Sequence, residues 1–109
     1  MPARSDSPRM LAAKAEIFKA LGHPARLRMV QALSLGERCV CELVEMVPGS
    51  QATTSRHLDV LLRAGLVSRR RKGVWMIYSL EMPCLLRAMP CVTEAIRRRI
   101  ERASAVLER

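Results

Sequence analysis

The chain has 109 residues, with 19 Lys and Arg against 10 Asp and Glu, and carries a formal net charge of +9. That length suits one domain with a modest core, and the basic balance points to a polyanionic partner. No apolar run approaches the roughly 18 residues that cross a bilayer, and the N-terminal MPARSDSPRM holds no signal-peptide apolar stretch, so the expectation is a cytoplasmic protein with no membrane partner.

Residues 1–9 read as a disordered polar tail. From about Met10, the positions of Leu11, Ile17, Phe18 and Leu21 fit a helix that ends near Gly22, and its alanine content supports it. A second helix restarts at His23-Pro24, since proline suits a first turn. It carries Leu27, Val30 and Leu33 and stops near Leu35-Gly36. His23 reads as a helix-entry residue. A short third helix covers Val40 to Met46, with Leu43, Val44 and Val47 as its apolar face, and Pro48-Gly49 breaks it. Ser50 or Gln51 opens a fourth helix running to about Ala64. Thr54, Leu58, Leu61 and Leu62 face its core side, Gln51, Ser55, Arg56 and Asp59 its outer side, and Gly65 caps it.

The period then changes. Leu66 to Arg71 and Val74 to Ser79 are β-rich runs joined at Lys72-Gly73, which predicts a basic hairpin. Beyond Glu81, Pro83 and Pro90 each suit a helix start, giving a short helix near Pro83 to Ala88 and a longer one from about Pro90 to Leu107. Leu85, Met89, Val92, Ile96, Ile100, Ala103 and Leu107 recur at helical steps and form an apolar stripe. With only 3% aromatic residues available to the core, such a terminal stripe predicts the seam of a homodimer. Arg97, Arg98, Arg99 and Arg102 read as a solvated face, or as partners of Glu94 and Glu101.

The expected fold is mostly α with a small β-hairpin. It is a winged helix-turn-helix (40–64) with its wing at 66–79, in a single domain over 10–109, dimerised through terminal helices at 83–108. A helix of about 14 residues is about 21 Å long and fits the major groove of double-stranded DNA. Gln51 and Arg56 have the reach for base edges, whereas Ser50, Thr53, Ser55 and His57 suit phosphate oxygens or capping. Arg70, Arg71 and Lys72 at the wing tip suit phosphates or a minor groove. An ordinary amphipathic surface helix would explain any one of these residues alone. Helix, turn, polar-faced helix, basic hairpin and net charge together point to DNA. No acid–base set or Gly-rich phosphate loop suggests an enzyme or an organic cofactor.

The chain contains four cysteines. Cys39 and Cys41 offer two soft thiolates, which favour As(III), Sb(III), Cd(II), Pb(II) or Zn(II) over hard cations. Residues i and i+2 do not face each other in a regular helix. Sharing one ligand therefore requires that the first turn of the third helix is irregular or becomes unwound, and ligand binding that distorts it would shift Gln51 to His57. Cys84 and Cys91, each directly after a proline, either add to that site, form a separate one or pack at the dimer seam. A thiol redox or persulfide switch is the alternative use of the same cysteines.

From Ala20 to Leu80 the sequence resembles the ArsR/SmtB family of winged-helix metal-responsive repressors. ALGHPARLRMVQAL is similar to the family's second-helix signature, ERCVCEL to the ELCVCDL box of its arsenic- and cadmium-sensing branches, TSRHLDVLLRAGLV to its recognition helix and RKGVWMIYSL to its wing. The resemblance implies a homodimer that binds an operator palindrome and releases it when a metal or metalloid binds, here As(III) as inducer. The chain departs from the pattern in three places. Val44 stands where the arsenic branch has a third cysteine, residues 1–38 lack the cysteines of the cadmium branch, and His23 and His57 do not supply the terminal-helix site of the zinc branch.

Overall fold

A computed structural model of the chain describes residues 5–107; residues 1–4 of the expected tail and residues 108–109 lie outside that span. Helix α1 (Pro8–Leu21) begins at Pro8 rather than Met10, because Ser7 caps it: the Ser7 hydroxyl accepts from the Met10 N–H at 3.1 Å. Pro8 occupies the first turn, where a missing N–H leaves no helix bond unmade. Helix α2 (Pro24–Leu33) repeats that logic, with the His23 Nδ1 accepting from the Ala25 N–H at 3.1 Å. Then come β1 (Arg38–Cys39), α3 (Val40–Met46), α4 (Gln51–Ala64), β2 (Val67–Lys72), β3 (Trp75–Leu80), α5 (Pro83–Leu86) and α6 (Met89–Leu107). Ser50 caps α4 through the Thr53 N–H at 3.2 Å, and Gly65 ends it at φ 82°, where a side chain would be strained.

The hairpin is part of a three-stranded antiparallel sheet in the order β1-β3-β2. Arg38 pairs with Tyr78 and Cys39 with Ile77, while β2 and β3 pair from Val67–Leu80 down to Lys72–Trp75. The extra strand corrects the expectation of a hairpin alone, and a strand of two residues is too short to show a period. The hairpin turn is Gly73-Val74 rather than Lys72-Gly73, with Gly73 at φ 62°.

The core is aliphatic. Met29, Val30 and Leu33 of α2 meet Leu43 and Val47 around α3, Leu58 and Leu61 of α4, and Leu66, Val67 and Tyr78 of the sheet. Burial of such side chains stabilises a fold by about 1.5–3 kcal/mol each. Thr54 is the buried polar member of this layer, and its hydroxyl donates to the Ser50 carbonyl at 3.3 Å. Helix α4 is thereby fixed on its inner side with its outer side open.

The two ends of the chain are packed differently. Helix α5 stops at Leu86 rather than Ala88, and no residue of α6 is buried: Val92, Ile96 and Ile100 are 45%, 52% and 63% exposed. On α1, Leu21 turns inward as expected, but Leu11 and Phe18 belong to an outward face and are exposed. The radius of gyration is 17.2 Å, against about 13 Å for a compact chain of this length. Among the described residues no helix is long and apolar enough to cross a membrane.

Candidate nucleic-acid interface and thiol pair

Gln51, Ser55 and Arg56 all lie exposed on the outer side of α4, opposite Thr54, Leu58 and Leu61. Ser50 is occupied by capping, and its Oγ also lies 3.1 Å from the Thr53 Oγ1, so these two hydroxyls organise the first turn. At the wing, Arg70, Arg71 and Lys72 are exposed beside the turn. The sequence therefore placed two basic or polar surfaces, and the fold joins them through Gly65 and Leu66, directly between α4 and β2.

His57 sits differently from its neighbours. It is half-buried, its ring lies 4.5 Å from the His23 ring, and the Arg26 Nη1 stands 3.3 Å from its Nδ1. Burial, then the nearby His23, Arg26 and Arg56, push its pKa below the ordinary histidine value. His57 thus ties α4 to the start of α2, where His23 also caps. Helical spacing alone places His57 near the outer face, since the spacing carries no information about the α1–α2 junction packed over it.

Cys39 and Cys41 are joined as a disulfide, with their Cα atoms 5.4 Å apart. Of the two expected routes, an irregular helix start or an unwound one, the first agrees with the structure and no unwinding of α3 is required. Cys39 has extended backbone (φ −77°, ψ 158°) as the last residue of β1, and only Cys41 is inside the helix. The i and i+2 objection holds for two helical residues, and the strand-to-helix junction removes it. Glu42 stabilises that junction, accepting from the Cys39 N–H at 3.3 Å and pairing with Arg38 at 3.3 Å.

No third ligand joins this pair among the described residues. Among the described residues, no group of three or more His, Cys, Asp or Glu side chains is placed to hold an ion. Cys84 on α5 and Cys91 on α6 are free and exposed, and Val44 is half-buried. Once reduced by two electrons, Cys39 and Cys41 offer two soft thiolates, and the described residues of one chain do not build a closed tetrahedral zinc site around them.

The sequence pattern gave no sign of Glu37. Its carboxylate accepts from the Arg70 Nη2 at 2.9 and 3.1 Å and from the Ser79 hydroxyl at 2.8 Å. Those hydrogen bonds, from Ser79 first and then Arg70, together with the Arg70 charge, hold its carboxyl below the ordinary carboxylate range. Arg97 and Arg98 pair with Glu94 at 3.4 and 3.5 Å, consistent with a solvated helix face.

Residues 23–69 match the family described as bacterial regulatory protein, arsR family. An uncharacterized HTH-type transcriptional regulator of Mycobacterium tuberculosis is 40% identical over 96 residues, covering 87% of this chain and 84% of that protein. Its crystal structure aligns with a TM-score of 0.74 over 91% of this chain and 99% of that one, at 35% identity. The arsenical resistance operon repressor of Escherichia coli is 38% identical over 93 residues, 84% of this chain and 80% of the repressor. A homodimeric winged helix-turn-helix DNA-binding domain from Mycobacterium bovis, solved in solution, aligns with a TM-score of 0.74 at 28% identity, over 94% of this chain and 95% of that one.

Proposed function

The chain belongs to the arsR family of DNA-binding bacterial transcription regulators, and from that premise we propose a homodimeric repressor that releases its operator when Cys39 and Cys41 capture a thiophilic ion, As(III) first among them. The observation that carries this reading is the convergence of the two sulfurs at the β1–α3 junction, at the head of the helix-turn-helix. As(III) takes sulfur ligands, and two come from this pair. The third comes from a small thiol or from the partner copy's cysteines. Sb(III), Cd(II), Pb(II) and Zn(II) are the other thiophilic candidates, and those demanding four protein ligands are less well served by the donor set.

Gln51 and Arg56 read base edges, Thr53 and Ser55 contact backbone oxygens, Ser50 orients the first turn, and Arg71 and Lys72 follow the phosphates with Arg70. His57 positions the helix from its inner edge. The single domain expected over 10–109 begins at Pro8, and its terminal helices α5 and α6 make the seam. The exposed apolar faces of α1 and α6 and the extended dimensions of the single chain support a second copy there.

The test is operator binding under reducing conditions in rising arsenite. Wild type is expected to leave the operator, and the Cys39→Ser/Cys41→Ser protein to stay bound. Release of both at the same concentration would falsify the assignment. The disulfide supports a second reading, a redox switch in which peroxide takes two electrons and the two thiols lose their protons as Cys39 and Cys41 join. Mass spectrometry after peroxide or polysulfide treatment separates the two, since this version needs a Cys–Cys or polysulfide link that tracks operator release.

A further inference from the structure

We propose that Glu37 is a positioning residue that couples the thiol pair to the wing, so that a change at Cys39 and Cys41 is read out at Arg70. The proposal rests on the reading of that pair as the ligand-capturing site. Glu37 directly precedes β1, and Cys39 ends it. Its one carboxylate holds a residue of each wing strand: Arg70 of β2, through both oxygens, and Ser79 of β3. Cys39 is itself paired with Ile77 of β3. The sulfur-bearing strand and the wing are therefore one sheet, clamped at the edge by one side chain.

The clamp acts on a residue assigned to DNA. Both Glu37 oxygens engage the same Arg70 nitrogen, Nη2. The guanidinium is planar and carries five donors, so fixing Nη2 sets the direction in which Nε and Nη1 point toward a phosphate. The Glu37–Arg70 pair is about half exposed, so it contributes little to stability, and its consequence is orientation. Helix α3 leads from the thiol pair to α4, and β1 leads from it to the wing; Glu37 belongs to the second route. By linkage, whatever shifts β1 on ligand capture shifts the affinity of the wing for phosphate, and the converse holds equally.

Trp75, the single tryptophan, lies on β3 opposite Lys72 and is 53% exposed, so its emission reports the wing. In the full wild-type chain without DNA, reduction of the pair by a phosphine, removal of the phosphine and addition of arsenite are expected to shift Trp75 emission at each sulfur state. In Glu37→Ala, thiol titration is expected to show the same sulfur chemistry while the emission shift is lost, and Arg70→Gln should lose it from the other end. On the operator, the arsenite-induced change in Kd should shrink by about fivefold or more in Glu37→Ala. An unchanged emission shift in Glu37→Ala overturns the proposal, as does a wild-type Trp75 that is silent to the sulfur state. A wild type that shows the shift yet keeps its operator in arsenite refutes the sensing reading instead and supports the clamp.

Discussion

Helices α4 and α6 carry apolar residues at the same helical spacing, yet α4 buries Thr54, Leu58 and Leu61 in its own chain and α6 buries nothing. The difference lies in what each helix can reach. Helix α4 is held between Pro48-Gly49 and Gly65 against a layer already formed by α2, α3 and the sheet, so its apolar side is satisfied and its polar side remains for a ligand. Helix α6 follows α5, beyond the sheet, and none of its described residues is buried. Periodicity states that a helix has an apolar face; it does not state whose surface covers that face.

Breaking α4 from the inside should give the largest effect. Leu58→Ala leaves a cavity in a fully packed position and is expected to destabilise the fold by about 2–5 kcal/mol, read as a lowered urea midpoint. The corresponding change on α6, Ile96→Ala with Ile100→Ala, should leave the core intact but weaken self-association by about 1–2 kcal/mol per side chain, measured by sedimentation equilibrium. If the α6 change lowered the unfolding midpoint at concentrations where only monomer is present, the contrast between the two helices would collapse.

Changes on the outer side of α4 should spare stability and alter recognition. Arg56→Ala is expected to weaken operator binding by about 1–3 kcal/mol and to relax base preference. Arg71→Gln at the wing should weaken all sequences alike and lower the salt slope by about 0.9. Equal losses of discrimination from both would erase the division between α4 and the wing. His57, at the border of the two sides of α4, gives the smallest effect. Its folded pKa is lowered by burial and by the neighbouring His23, Arg26 and Arg56, so below the unfolded value near 6.5 the unfolded chain binds a proton that the folded chain does not. Stability should therefore fall as pH drops from about 6.5 toward the folded value, and His57→Gln should flatten that slope in pH-dependent urea melts.

The bounds of α3 and α4, the glycine cap at Gly65 and the inner face of Thr54, Leu58 and Leu61 were all legible, because caps, breakers and a long period write themselves into consecutive residues. What was not legible depends on residues distant in sequence. Strand β1 exists through its pairing with β3, and Glu37 meets Arg70 and Ser79 across the sheet. The meeting of the two sulfurs was hidden for a different reason. Cys39 stands one residue before α3 with extended backbone, so the i and i+2 rule for two helical residues does not apply to it, and one dihedral change at a boundary reverses the conclusion. The start of α1 was missed by the same kind of error, since Ser7-Pro8 is a capping signal inside a stretch that reads as polar tail.

The bare face of α6 has a consequence for how much of the protein a cell must hold. If the proposed pairing through this face makes the DNA-binding unit, operator occupancy at low filling rises with the square of chain concentration while that concentration lies below the dimer dissociation constant. Halving the chain concentration in that regime would then lower operator occupancy by about fourfold rather than twofold.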